Sequence, residues 1–195
     1  MKGYKPLPSA ERLRELLDFD SATGVLTWKV LRPGSGKVGS VAGTRKRRGH
    51  LEVRIDGVKF QTHRIIWKLK TGEDPPEQID HRDCNPGNNR LSNLRKATPG
   101  QNQANRPALR RSVSGIKGVS PRYRGRKGQA GRAIRAWRAQ IKYRGRVIFL
   151  GDFKKPEIAR QAYDTRAFLL QGPFARLNGW GIVSDTGCEL LPARP

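Results

Sequence analysis

Cysteines are scarce in this sequence, and their placement excludes two classes of small protein. Only two occur in 195 residues, Cys84 and Cys188, and they form no Cys-x-x-Cys pair. Structural zinc ribbons are built on such pairs, and disulfide frameworks need more cysteines than this. We therefore expect no structural zinc and reduced thiols.

Acidic residues are also few, and they are missing from a long central stretch. The chain has 40 Lys and Arg against 16 Asp and Glu, a formal charge of +24. Between Asp83 and Asp152 there is no acidic residue, although that stretch holds 17 Lys and Arg. A field of one sign attracts a polyanion, whereas a surface that is merely soluble mixes both signs. The charge pattern therefore predicts a nucleic-acid partner.

Long hydrophobic runs are absent. No run approaches the roughly 18 residues of a membrane-spanning helix, and the segment before Leu13 has no apolar signal sequence. An anionic membrane is the main alternative partner for so basic a chain, but no basic segment forms a long amphipathic helix. We expect a cytoplasmic protein with no membrane partner.

The low hydrophobic content of the chain, 35%, fits two small domains better than one large core.

The N-terminal part alternates short helix and strand patterns. Ser9 can cap a short helix through Leu17, and residues 24–28 and 38–44 read as strands. Asp56-Gly57 predicts a tight turn between two further strands. Thr62 can cap a second helix, which Gly72 would end.

The polar segment 79–102 carries the residues with the clearest chemistry. It is rich in Asn and has too few apolar residues for a core of its own, so side-chain hydrogen bonds must organise it. Asp80 and His81 place a carboxylate beside an imidazole that can act as a base near pH 7. On composition alone, an ordinary polar turn with an incidental Asp-His pair is an equal alternative.

Residues 63–102 resemble the HNH nucleases of phage and intron origin. The matching residues are His63-Arg64, Asp80-His81-Arg82-Asp83, Asn88-Asn89-Arg90, Asn93-Leu94-Arg95, Thr98 and Asn102. The resemblance implies a ββα-metal fold in which Asp80, His81, Asn93 and Asn102 form the catalytic set. It makes His81 the general base, Asp80 and Asn102 the metal ligands, and Asn93 the residue that holds the loop. Such oxygen ligands suit Mg²⁺, with Mn²⁺ as a possible substitute.

The neighbouring residues have plainer interpretations. We expect a structural role for His63 in preference to phosphate contact, a surface strand position for His50, and turn chemistry for Asp83 and Asn85. Residues 17–28 resemble a recurrent opening of phage HNH proteins, and this part is expected to support the nuclease without chemistry of its own.

A second basic region interleaves Arg and Lys with aromatic residues along predicted strands. Strand alternation places Arg138, Gln140 and Lys142 on one face and Ala139 and Ile141 on the other. A sheet with such a face can enter the major groove of DNA, although a solvated sheet face is the plainer alternative. The candidate DNA contacts are Arg122, Arg124, Trp137, Arg138, Gln140, Lys142, Arg144 and Arg146.

The same region resembles the plant ethylene-response-factor (Apetala-type) DNA-binding domain. The matching residues are Lys117-Gly118-Val119, 137–141, 150–153, Ala159, Ala162-Tyr163-Asp164 and 174–178. The resemblance implies three antiparallel strands packed on one helix, which reads DNA through the sheet. This sequence differs from the plant domain at 120–122, 125–135 and Val147. The DNA sequence that the plant domain recognises therefore cannot be assigned to this protein.

Together these patterns predict an α+β protein of two modules. The expected parts are an N-terminal helix and β support region (1–48), an HNH module (49–108), a basic linker (109–114), a DNA-binding domain (115–178) and a loose tail (179–195). The expected function is a phage- or prophage-encoded, monomeric, homing-type endonuclease that nicks double-stranded DNA with Mg²⁺. The alternative is a DNA-binding regulator with a vestigial HNH domain.

Overall fold

The computed structural model describes residues 5–31, 37–109, 111–124 and 133–179. Contacts divide the chain into two compact units, residues 1–98 and 99–195. Helices and small antiparallel sheets occur together, which confirms the α+β class. Residues 180–195 of the expected tail and 125–132 of the expected long connection lie outside the described residues. None of the helices in the described ranges is long and apolar enough to cross a membrane.

The N-terminal unit contains two α-helices, a 3₁₀ helix at Leu91–Asn93 and seven short strands among its described residues. In chain order, its α-helices and strands are α1 (Ala10–Leu16), β1 (Leu17–Asp20), β2 (Val25–Trp28), β3 (Thr44–Arg45), β4 (Leu51–Ile55), β5 (Val58–Gln61), α2 (Thr62–Thr71), β6 (Ile79–His81) and β7 (Leu94–Lys96). The pairs β1–β2 and β6–β7 form two-stranded sheets, and β3, β4 and β5 form a three-stranded one.

Local sequence explains most of these boundaries. The Ser9 side chain accepts a hydrogen bond from the Arg12 amide (3.1 Å), as expected of a helix cap. Asp56 and Gly57 both have positive φ, which a tight two-residue hairpin turn requires. Gly72 ends α2 in the left-handed conformation.

Two of the local predictions are wrong. Thr62 does not cap α2, because Gln61 holds that position and Thr62 is the first helical residue, with its hydroxyl buried. Residues 38–44 form no continuous strand, because only an isolated bridge from Thr27 to Val41 precedes β3.

One apolar core holds the N-terminal unit together and extends to the polar segment. Its most deeply buried members include Leu13, Leu26 and Ile65. Ile79 on β6 and Leu94 on β7 belong to the same cluster. The polar hairpin between those strands is therefore anchored at its base by burial, although its own residues are polar.

The C-terminal unit is a three-stranded antiparallel sheet packed on a helix. Its elements are α3 (Pro99–Ala104), β8 (Val119–Tyr123), β9 (Ile134–Tyr143), β10 (Arg146–Phe153) and α4 (Pro156–Gln171), with β9 central in the sheet. Ala139, Ile141, Ala159, Tyr163 and Ala167 form the buried layer between sheet and helix. Sheet and helix are those that the sequence predicted. The Ala104 carbonyl at the end of α3 accepts hydrogen bonds from the Arg176 amide (3.3 Å) and from the Lys117 ammonium group.

Candidate active site

A buried ion pair fixes the carboxylate at the end of β6. Asp80 lies directly across the antiparallel pair from Arg95 on β7. The Arg95 guanidinium donates from Nε to Asp80 Oδ2 (2.9 Å), and its Nη2 lies 2.8 Å from the same oxygen. The two residues are only 4% and 7% exposed. The pair holds the carboxylate in one orientation, a role for Arg95 that was not predicted from the sequence.

His81, the last residue of β6, is held by a buried amide. Its Nε2 lies 3.1 Å from Oδ1 of Asn89, which is 1% exposed. An amide oxygen only accepts hydrogen bonds, so this contact favours protonation at Nε2 and leaves the lone pair on Nδ1. Burial lowers the pKa of His81, while the Asn89 hydrogen bond and the nearby carboxylates of Asp83 and Asp80 oppose that effect. The imidazole is thus kept neutral, as a general base requires.

Side-chain hydrogen bonds organise the loop between β6 and β7. Asn93 donates from Nδ2 to Asp83 Oδ1 (2.9 Å) and to the Asn88 carbonyl (2.8 Å), and its Oδ1 accepts from the Asp83 amide (3.0 Å). Asp83 also accepts from the Asn88 side chain (2.7 Å) and the Asn85 amide (2.8 Å). This network substitutes for a core, as the polar composition of the loop predicted.

The three histidines of the chain come together from three separate elements. His50 precedes β4, His63 is the second residue of α2, and His81 ends β6. Ring centroids are 5.8 Å apart for His50 and His63, 5.9 Å for His50 and His81, and 5.1 Å for His63 and His81. The expected surface strand position for His50 is wrong, because the residue is half-buried against the other two rings.

The pKa of each histidine is depressed in this cluster. Burial lowers the pKa of His63 to about 3, with smaller contributions from the neighbouring His81 and His50. Burial is also the main cause of the lowered pKa of His50. Such rings are neutral at pH 7 and carry a lone pair. Spacing in the sequence gave no indication of this convergence.

Contacts on two sides tie the polar segment from β6 to β7 to the rest of the N-terminal unit. Arg90 donates from Nε to the Ala22 carbonyl in the β1–β2 turn (2.6 Å). Gly24 in that turn has φ +76°, and a Cβ there would lie 2.7 Å from the Asn89 carbonyl carbon. On the other side, Arg64 donates to the carbonyl of Pro76 (2.9 Å) in the segment that enters β6. The turn therefore supports the Asn89–Arg90 backbone directly.

Asn102 and the candidate DNA contacts lie in the C-terminal unit. Asn102 is on α3. Gln140 and Lys142 are exposed on β9, opposite the buried Ala139 and Ile141, so the predicted alternation is confirmed. Arg122, Arg124, Arg144 and Arg146 are exposed as well.

Several of the sheet candidates have partners within the protein, among them Arg122, whose Nε lies 3.9 Å from Asp152 Oδ2. Arg138 forms a two-pronged ion pair with Asp152 (2.9 and 3.0 Å) and lies over the Phe149 ring at 4.9 Å. Trp137 is half-buried and packs against the core of the unit. Arg138 would have to exchange Asp152 for a base edge in order to read DNA.

Two donor sets of different chemistry occur among the candidate residues. Asp80 and Asn102 offer a carboxylate and an amide oxygen, the hard donors that suit Mg²⁺. The ion pair with Arg95 engages Oδ2 of Asp80 and orients the carboxylate, so a carboxylate ligand fits this position. The three histidines offer only nitrogen, and one ligand atom from each lies within 4.8 Å of the others.

Comparison with known proteins gives matches on both parts of the chain. Residues 60–104 match the family described as HNH endonuclease. Protein 3.8 of Escherichia phage T7 is 31% identical over 115 residues, which cover 58% of this chain and 87% of that protein. The ethylene-responsive transcription factor ERF010 of Arabidopsis thaliana is 42% identical over 65 residues, but these are only 32% of this chain and 35% of the factor. No solved structure gives a significant match.

The matched segment contains the buried Asp80–His81 pair, its Asn89 and Arg95 partners, and the loop that Asn93 organises. An HNH endonuclease domain indicates DNA endonuclease activity that depends on a divalent metal. Since most of the phage protein is covered at this identity, the chain belongs to the same family as protein 3.8 of phage T7 and carries an HNH endonuclease domain at residues 60–104.

Proposed function

We propose that the protein is a Mg²⁺-dependent endonuclease of the homing type, which nicks one strand of double-stranded DNA. The observation that carries the proposal is the buried Asp80–His81 pair at the end of β6. Its carboxylate is held by Arg95 and its imidazole by Asn89. Fixed orientation and a neutral base are what hydrolysis of a phosphodiester demands of a protein.

In the proposed reaction His81 acts as the general base. Its Nδ1 takes a proton from a water molecule, and the water oxygen forms a bond to phosphorus. The bond from phosphorus to O3′ breaks in line, and the leaving oxygen takes a proton from solvent. The products are a 3′-hydroxyl and a 5′-phosphate. Asn89 holds the ring in the required tautomer, and Asn93 holds the loop from which Asn89 extends.

Asp80 and Asn102 are the proposed metal ligands. The support for this pair is the HNH motif, which lies within the matched segment 60–104, and the oriented carboxylate of Asp80. A bound Mg²⁺ would offset charge on the phosphate and on the leaving oxygen. Mn²⁺, which prefers similar ligands, is expected to substitute.

The C-terminal sheet is proposed to bind the DNA. Exposed Gln140 and Lys142 on β9 share a polar face with Arg122 on β8, and the acidic Asp152 on this face is paired with Arg138. Arg144 and Arg146 are exposed at the turn between β9 and β10. Most of these cations would contact phosphates, which position the protein without reading sequence. The partial likeness to the plant factor supports this role.

Replacement of His81 by Ala tests the assignment of the base. We expect the rate of nicking of supercoiled plasmid in Mg²⁺ to fall about 10²–10⁴-fold, the usual contribution of a general base. DNA affinity, measured in Ca²⁺ by gel shift, should change little. Excess chelator should abolish cleavage by the unmodified protein. Cleavage by His81→Ala at the unmodified rate would contradict the proposal.

A DNA-binding regulator with an inactive HNH domain is the second candidate, and the likeness to a transcription factor favours it. A regulator would bind DNA with the same salt dependence but cut nothing in Mg²⁺ or Mn²⁺ at any enzyme concentration. The plasmid assay therefore separates the two functions.

A further inference from the structure

The three-histidine cluster has a feature that the proposed hydrolysis does not use. Hydrolysis needs one imidazole, yet the cluster gathers all three histidines of a 195-residue chain. They come from a loop, a helix and a strand that are far apart in sequence. His63 is 6% exposed and makes ring contacts to both of the others. Burial of a second and a third imidazole beside the first calls for a separate chemical explanation.

The nitrogen atoms are close to the arrangement of a metal site. One nitrogen from each ring lies within 4.8 Å of the other two. In a tetrahedral site with metal–nitrogen bonds of about 2.0–2.1 Å, ligand atoms are about 3.4 Å apart. Small rotations of the rings about χ1 and χ2 would cover the difference. His50 Nδ1 is buried and has no hydrogen-bond partner among the described residues, so one donor atom awaits a ligand.

The donor type narrows the class of cation. Each neutral imidazole offers one nitrogen lone pair to a metal. Imidazole nitrogen favours Zn²⁺ and its late first-row neighbours, whereas Mg²⁺ prefers oxygen. Three histidines with a fourth position for water are a known ligand set for zinc. The three histidines therefore suit a Zn²⁺-type cation, whereas Asp80 and Asn102 suit Mg²⁺.

We propose that His50, His63 and His81 form a three-imidazole site for a Zn²⁺-type cation, distinct from the oxygen ligands Asp80 and Asn102. A second consequence rests on the proposed function. A cation on His81 would occupy or reorient the base, so Zn²⁺ inhibits nicking while Mg²⁺ is present in excess. The site thus makes cleavage sensitive to transition-metal availability.

The binding test uses Co²⁺ as a spectroscopic probe on the metal-free full-length protein. We expect saturable visible d–d bands of a four-coordinate ion at one equivalent per chain, displaced by Zn²⁺. His50→Gln and His63→Gln should each weaken Co²⁺ binding about tenfold or more. Two control variants should keep the bands. Cys84→Ser removes the nearby thiol, and Asn102→Ala removes a proposed Mg²⁺ ligand. Circular dichroism checks the fold, and His50 is the safer variant because it is only half-buried.

The outcomes separate this proposal from the proposed function. Absence of bands, bands retained in His50→Gln, or bands lost in Cys84→Ser would overturn the three-histidine site. Nicking assays with Zn²⁺ titrated against excess Mg²⁺ test the consequence. Each protein is compared with its own rate without Zn²⁺, and the inhibition constant for Zn²⁺ should be about tenfold or more higher in His50→Gln than in the unmodified protein. Cleavage unaffected by Zn²⁺ at saturation would overturn the inhibition. If the protein cuts nothing, the Co²⁺ spectra still decide the site.

Discussion

At the scale of residues, two buried side chains hold the central groups of the candidate site: Arg95 binds the Asp80 carboxylate and Asn89 contacts the His81 ring. Asp80, His81 and Asn93 lie within 14 positions of each other, and the family motif names them. Arg95 and Asn89 were assigned no role, and His50 was expected at the surface, because the importance of these residues depends on which chain segments meet. The cross-strand position of Arg95 was the one accessible clue, since opposite charges often pair across antiparallel strands.

Arg95 is expected to be essential for stability because it neutralises a buried carboxylate. Arg95→Met should lower the free energy of unfolding by about 3–5 kcal/mol, the usual cost of breaking a buried ion pair from one side. Lys46→Met is the matched control, because Lys46 pairs with Glu52 at 3.1 Å where both are partly exposed. Its effect should stay below about 1 kcal/mol. Equal losses of unfolding free energy in the two variants, measured by urea unfolding, would show that burial does not make the Asp80–Arg95 pair more important than an exposed pair.

His63 should make stability depend on pH in the acid range. Its pKa is about 3 in the folded protein and about 6.5 in the unfolded chain. The unfolded chain therefore binds the proton first as pH falls. The contribution of neutral His63 to the free energy of unfolding is complete above pH 6.5 and is lost towards pH 3. In chelator, acidification from about pH 7 to about pH 5 should cost about 2 kcal/mol more in the unmodified protein than in His63→Gln. A matching pH dependence in the two proteins would exclude this role.

At the scale of elements, the predictable features were those that local chemistry sets. The Ser9 cap, the Asp56-Gly57 turn and the sheet with its helix in the C-terminal unit follow from capping, turn geometry and alternation. The failures at Thr62 and residues 38–44 have a common cause. A hydroxyl before a helix and an extended apolar stretch each allow several structures, and tertiary packing selects among them.

The turn between β1 and β2 is expected to control the active-site loop. Gly24→Ala must adopt φ +76° and place a methyl group against the Asn89–Arg90 backbone. Gly57→Ala meets the same kind of strain at φ +78°, but nothing lies within 4 Å of its Cβ. Both variants should lose about 1–2 kcal/mol of stability from the positive φ. Only Gly24→Ala should also reduce the nicking rate, and a similar rate loss in Gly57→Ala would argue against loop support.

At the scale of the whole molecule, the positive charge is divided unevenly, and this asymmetry should be measurable. The sheet face that carries Arg122 and Lys142 is exposed, while α4 covers the opposite face. If the sheet contacts phosphates, Lys142→Gln and Arg122→Gln should each reduce the slope of log affinity against log salt by about 0.9. Arg166→Gln on the exposed side of α4 is the control and should leave the slope unchanged. Equal slopes for all variants would place the DNA elsewhere.

The attachment of α3 limits how this protein can be recombined. The motif residue Asn102 lies on a short helix whose last carbonyl bonds to Lys117 and Arg176, far along in the C-terminal unit. A chimera joined at the basic stretch 105–114 would therefore separate that helix from the residues that hold it. A junction just before Pro99 would keep the helix together with the residues that hold it. The last residue of the HNH motif, at position 102, would then come from the protein that donates the C-terminal unit. If the C-terminal sheet binds DNA as proposed, an exchange of that unit would also exchange part of the HNH motif.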